Sequence, residues 1–212
     1  MDKIRLGLFD IFAYLLPGCC MLFSIVVAAS GDIQSLDHML NPFKELSISE
    51  GILLVLASYM VGFALHVPGW WLLRYLGLNI WKEYKRRTSQ EREFKERNKN
   101  TVLVREYSKV NARYIELWYA LSSMARTLSL TFLFFAIVAI IKGFRVTNGE
   151  SSSWFFLALG LFFFSFVLLY RAAQSYSWAV RDIRNTVKQL HLKEKARFMV
   201  FGEEDQEEEE LL

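Results

Sequence analysis

The stretch "FAYLLPGCCMLFSIVVAAS", Phe12 to Ser30, admits three readings: a cleaved secretory signal, a lipoprotein signal in which Leu16, Pro17, Gly18 and Cys19 imitate a lipobox, or a first membrane-spanning helix. Lys3 and Arg5 ahead of it, and Val27, Ala28 and Ala29 near its end, suit a signal. Asp10, however, interrupts what would be the apolar core of a signal, and the run from Phe9 to Ala29 has the ~20 residues that a bilayer crossing needs. Cys19 is followed by Cys20, Met21, Leu22 and Phe23, where a lipoprotein needs a polar tether. The retained helix is therefore the reading carried forward.

Three further apolar stretches follow, from Gly51 to Leu73, Trp118 to Ile141 and Trp154 to Tyr170, each near the length of a hydrocarbon core. The chain is 53% hydrophobic yet 22% charged, with a net charge of +3, so the two kinds of residue must be segregated along it. Backbone groups in lipid have to be satisfied within the segment, which makes these stretches helices, and no period-two alternation supports a barrel. The fold class expected is an all-α membrane protein with four transmembrane helices and cytoplasmic helical extensions. Its parts are 1–73, the first two spans; 74–117, a basic helical hairpin; 118–172, the last two spans; 173–201, a helix; and 202–212, a disordered acidic tail.

Orientation follows from the basic residues. Arg74, Lys82, Lys85, Arg86 and Arg87 open a loop rich in Lys and Arg, and Arg171, Arg181, Arg184 and Lys188 follow the fourth span, whereas Ser30 to Glu50 carries only Lys44. Both termini and the large loop are expected inside, with Lys142 and Arg145 a mild exception. Ser47 and Glu50 have capping-box spacing at the start of the second span. His66, Val67, Pro68 and Gly69 should kink its inner end, where Trp70, Trp71, Tyr75 and Trp81 form an interface belt. Ser151 to Ser153 can cap the fourth span.

In the loop, Glu83 with Arg87, Glu91 with Lys95 and Glu93 with Arg97 support a solvated helix, and a hairpin break is expected near Asn98, Lys99 and Asn100. From Val102 the residues Val102, Leu103, Val110, Tyr114 and Leu117 recur at helical spacing and lead into the third span. Val180, Ile183, Val187 and Leu190 form a second stripe, which needs either the loop hairpin or a neighbouring subunit as its partner. After Gly202 the run "EEDQEEEELL" is too charged to pack; it shields the basic surface or recruits a basic partner.

The catalytic inventory is thin. His38, His66 and His191 sit in no metal-ligand pattern, and adjacent Cys19 and Cys20 suit neither a metal site nor a disulfide framework. No phosphate loop or nucleophile elbow is present, so no catalytic, cofactor or metal residues are assigned and an enzyme is not expected. More informative are the ionisable residues inside the spans, Asp10, His66 and Arg126, which fall at similar depth near the inner leaflet. They form either an Asp10–Arg126 pair with His66 nearby, acting as a gate or two-state joint, or three separately satisfied residues. Ser58, Gly62 and His66 recur every four residues with Gly69 close by, a packing seam within the chain or between subunits; Tyr14 and Gly18 are its counterpart in the first span. Homo-oligomerisation, as a tetramer, is expected from that seam and from the second stripe. Arg74, Lys82, Lys85, Arg86 and Arg87 suit anionic lipid headgroups, and the interleaved acids argue against direct nucleic-acid binding.

"LFDIFAYLLPG" (Leu8 to Gly18) and "YMVGFALH" (Tyr59 to His66) resemble the first two spans of small bacterial membrane proteins, some of them encoded in antiphage defence loci. The four-span layout looks like the membrane subunit of the Kiwa defence system, with the membrane accessory proteins of type VI CRISPR loci a second candidate. The resemblance implies a bacterial inner-membrane protein that oligomerises and works with a soluble cytoplasmic effector. It covers the first third of the chain and brings no site residues with it. Two functions stay open: a sensor or scaffold that holds an effector, and a pore that depolarises the membrane.

Overall fold

A computed structural model describes residues 2–31, 33, 35–39, 44, 46–77, 90–146 and 151–192, with the backbone alone for 2–10, 12, 37 and 90–96. Among these residues lie six α-helices: α1 (Asp2–Ala29), α2 (Ile48–Ala64), α3 (His66–Leu72), α4 (Gln90–Tyr107), α5 (Lys109–Arg145) and α6 (Ser151–Gln189). A π-helical turn, Leu73–Gly77, continues α3. The 37-residue α5 and the 39-residue α6 are long and apolar enough to cross a membrane, and α2 with α3 and its π turn, bent by 40°, adds a third crossing if the pair is one span. The first expected span corresponds to α1, whose described apolar part, Ala13–Ala29, is shorter. Two or three such helices are the signature of an integral membrane protein.

The bend between α2 and α3 has a local cause. Pro68 lacks an N–H, so the carbonyl of Ala64 loses its helical donor, while Leu65 N–H still reaches Val61 O at 2.9 Å and Gly69 N–H reaches Leu65 O at 2.9 Å. At the other end of α2 the capping box is present: Ser47 N–H donates to Glu50 Oε2 at 2.8 Å, and Glu50 N–H to Ser47 Oγ at 3.4 Å.

The chain forms two compact units, Met1–Lys82 with Ala120–Gln174, and Glu83–Tyr119 with Ser175–Leu212. In the first, α1 and α2 touch backbone to backbone. A Cβ on Gly62 would fall on the Tyr14 carbonyl, and one on Gly18 on the Ser58 carbonyl, so only hydrogen fits at either place. The seam is thus intramolecular, and its small residues serve α1. Ser58 is fully buried there, and its hydroxyl has no hydrogen-bond partner among the described residues.

α5 and α6 join through another set of small residues. Ser129 Oγ donates to Ser165 O and Ser165 Oγ to Ser129 O, both at 2.8 Å, and seven residues earlier Ser122 Oγ donates to Ala172 O at 2.8 Å. A further step of seven gives Ala136 and Ala158, also buried. Interhelical hydrogen bonds in lipid contribute only ~0.6 kcal/mol each on average, so the close approach that these small side chains permit matters more than the bonds. At the far end of the bundle Val27, Ile33, Phe135, Val138, Val146 and Trp154 form an apolar core. Lys142, buried beside it, donates to the Ser30 carbonyl just past the C-terminus of α1, where a cation suits the helix dipole.

In the second unit Val104 of α4, Ala112 and Ile115 of α5, and Ala179, Ile183 and Val187 of α6 share one core, which Leu192 completes. Arg97 donates to the Tyr176 hydroxyl, Trp118 meets Trp178 edge-on at 4.8 Å, and Arg105 pairs with Glu116 at 3.3 Å.

One reading is corrected here. α4 runs unbroken through Asn98, Lys99 and Asn100, and the interruption falls at Ser108, because nothing at the asparagines removes a backbone donor. α5 runs from Lys109 straight into the expected third span; Val104, Ala112 and Ile115 lie in the core with Leu103 packed against it, whereas Val102, Val110, Tyr114 and Leu117 are exposed. Ser151, where α6 begins, donates its hydroxyl to Val146 O at 3.0 Å. The Ser58–Gly62 seam and Ile183 with Val187, which were the grounds for self-association, are also both covered within the chain. The acidic tail and the expected turn at Thr147 to Gly149 lie outside the described residues.

Gly62→Ala and Gly18→Ala should each lower stability by about 1–3 kcal/mol through overpacking. Gly160→Ala should be neutral or stabilising, since no atom lies within 4 Å of the added carbon. Thermal unfolding in mild detergent compares the three, and equal effects would refute the seam. Ser58→Ala should stabilise by about 1 kcal/mol by removing a buried unpaired hydroxyl.

Candidate functional site

Two cations are buried among the described residues of the first unit, Lys142 at the far end and Arg126 within the bundle. Arg126 of α5 is only 7% exposed, and the side chains around it come from α3, α5 and α1. Its Nη2 lies 2.6 Å from His66 Nε2 and 3.4 Å from His66 Nδ1, and Ser123 Oγ lies 3.0 Å from His66 Nδ1. A guanidinium only donates, so Nε2 must accept; Nδ1 then carries the hydrogen and donates to Ser123 Oγ. The guanidinium carbon also sits 5.1 Å from the Trp70 ring, a cation–π contact of about 2 kcal/mol when desolvated. Tyr14 of α1 stands beside the histidine, its ring centroid 6.0 Å from that of His66.

Local sequence explains how these groups meet. His66 opens α3 at the break forced by Pro68, so the bend aims its imidazole at α5. Gly69, one turn on, lets α3 lie against α5: an added Cβ would stand 3.2 Å from Thr127 Cγ2 and 3.5 Å from Arg126 Cγ. Trp70 stands four residues after His66, on the same face. On α5, Ser123 precedes Arg126 by one turn, and Thr127 Oγ1 turns back to the Ser123 carbonyl at 3.0 Å.

Of the expected trio, His66 and Arg126 come together. Asp10 belongs to α1, one turn before Tyr14, and its side chain lies outside the described residues. Arg74 is exposed in the π turn, while Lys82, Lys85, Arg86 and Arg87 lie outside the described residues. Sequence reasoning missed Ser123 and read Trp70 only as an interface residue. The available signal was "LSSMARTLSLT", Leu121 to Thr131, where hydroxyl residues crowd around one arginine in an otherwise apolar helix. It also missed Ser129, Ser165 and Thr131; Thr131 Oγ1 reaches the Thr127 carbonyl at 3.0 Å. No group of three or more His, Cys, Asp or Glu able to hold a metal ion occurs among the described residues. The arrangement suits a rigid or two-state polar joint between helices, because both ring nitrogens of His66 already have partners in Arg126 and Ser123.

Comparison of the chain with protein-family models, curated proteins and solved structures returned no match.

If His66 accepts from Arg126, a double-mutant cycle on His66→Ala and Arg126→Gln should give a coupling of about 0.5–3 kcal/mol. The same cycle on Asp10→Asn and Arg126→Gln should also couple if those two pair. Zero coupling in the second cycle, measured by thermal or denaturant unfolding in detergent, would restrict the joint to His66, Ser123 and Trp70.

Proposed function

We propose that the protein is a membrane-anchored sensor or scaffold whose second unit holds a soluble effector on the cytoplasmic side, in a bacterial inner membrane and in antiphage defence. The observation that carries this reading is the separate core made by α4 with the ends of α5 and α6, a folded unit with its own buried Val104, Ile115, Ile183 and Leu192. A chain that only lined a pore would have no use for it. The reading is also supported by the fate of the polar residues: the hydroxyls of Ser122, Ser129, Ser165, Thr127 and Thr131 are all spent on carbonyls inside the chain. The outward faces are instead Phe156, Leu159, Phe163, Leu53, Met60 and Phe63, chemistry for acyl chains. The topology proposed is four spans with both ends inside, α1 included. Self-association as a tetramer, if it occurs, must use surfaces other than the two covered within the chain.

Reporter fusions at Leu40, Asn98, Asn148 and Phe201 should read out, in, out and in; an outward signal at Asn98 would overturn the topology. Purification in gentle detergent should retain a soluble protein in stoichiometric amount, while the isolated chain in liposomes leaves a potential-sensitive dye unchanged. Dissipation of the potential by the isolated chain would replace the scaffold with a pore.

A further inference from the structure

Exposed apolar side chains on a membrane-crossing helix face lipid, but those on the opening turns of α5 lie elsewhere. Val110 is 66% and Tyr114 61% exposed, with Leu117 exposed on the same face at helical steps of four and three. Val110 precedes Trp118, where the apolar stretch begins, by two turns, about 12 Å along the axis and beyond the acyl chains. Lys109 and Arg113, both exposed, run one position ahead of Val110 and Tyr114, so a basic edge borders the apolar ridge. A face of this kind takes a partner with apolar side chains beside a row of acids. A second copy is a poor fit, because an isologous contact brings the basic edges of both copies to one small interface.

The chain carries the complementary chemistry in "RFMVFGEEDQEEEELL", Arg197 to Leu212: four apolar residues, Phe198 to Phe201, then an acidic run after Gly202. The last described residues fix where this segment starts. His191 takes φ 49°, the left-handed conformation that terminates a helix, and its N–H donates to Lys188 O at 3.4 Å. Leu192 then returns to the core beside Val104, Ala112 and Ile115. From there Lys193 to Arg197 can span up to about 17 Å, more than a helix diameter of about 10–12 Å.

We propose that residues 197–212 dock in cis on the Val110, Tyr114 and Leu117 face, with Phe198 to Phe201 on the ridge and the glutamates beside Lys109 and Arg113. If the effector of the scaffold reading uses the same face, the segment competes with it. That extension rests on the scaffold reading, whereas the docking itself needs no effector.

The test is a photo-crosslinker, p-benzoylphenylalanine, in place of Tyr114 in the full chain, in nanodiscs, using an equal mixture of isotope-labelled and unlabelled chains. Adducts should map to residues 197–212 and join like-labelled peptides only. Lys109→Glu with Arg113→Glu should lower their yield about fivefold, and raising salt to about 0.5 M should lower it in the wild-type background even if the double variant fails to fold. Adducts between unlike chains, adducts to lipid alone, no adducts, or a yield indifferent to salt would each overturn the proposal. Because no effector is present, none of these outcomes bears on the scaffold reading.

Discussion

The contact on which the first unit depends is the reciprocal approach of Gly18 to the Ser58 carbonyl and Gly62 to the Tyr14 carbonyl. Lipid offers two helices no hydrophobic reason to associate, since acyl chains are as apolar as leucine. Association must come from contact area and short-range interactions, which fall away within an ångström or so of extra separation. Replacing Cβ by hydrogen at two places one turn apart lets the backbones of α1 and α2 meet, with glycine Hα atoms directed at carbonyl oxygens. That the Ser58 hydroxyl has no partner among the described residues fits the same logic: the position needs a small residue more than it needs a hydroxyl.

α5 is the helix on which the rest of that unit is arranged, and its inward face is polar for much of its length. Serine and threonine side chains there return hydrogen bonds to carbonyls of their own helix or of α6. A buried hydroxyl is inexpensive in lipid when a carbonyl is at hand, and it keeps the side chain small. Arg126 is the costly member, and it is surrounded by an imidazole acceptor, an indole face and a short hydroxyl residue. Removal of any one of these would leave the guanidinium less compensated in a medium where charge is expensive. This concentration of cost at one point is why the site is a candidate for a switch and not only for packing.

Outside the apolar stretch the same two long helices obey different rules. There Val104, Ala112, Ile115, Ala179, Ile183 and Val187 gather into a core of their own, the arrangement that the hydrophobic effect drives in water. Val110, Tyr114 and Leu117 stay exposed, which in water is a reason to expect a partner and in lipid would be unremarkable. The chemical meaning of an exposed leucine therefore changes along a single helix.

Much of the architecture was legible in the residues alone. Length and continuity of the apolar stretches pointed to helices that cross a membrane, because unpaired backbone groups are not tolerated in lipid, and two or three of the described helices are long enough to do so. Ser47 with Glu50 announced the start of α2, and Pro68 announced its bend, since both act through backbone donors within one turn. The spacing of Ser58 and Gly62 marked a seam, but spacing carries no information about which helix lies opposite; only the tertiary structure assigned it to Tyr14 and Gly18. Likewise the sequence offered Val102, Leu103, Val110, Tyr114 and Leu117 at helical spacing, and only the packed unit decided which are covered: Leu103 lies against the core of Val104, Ala112 and Ile115 while the other four stay exposed. Helical periodicity tells which residues share a face, and the choice between two such faces belongs to the shape of the neighbour, which no local pattern contains.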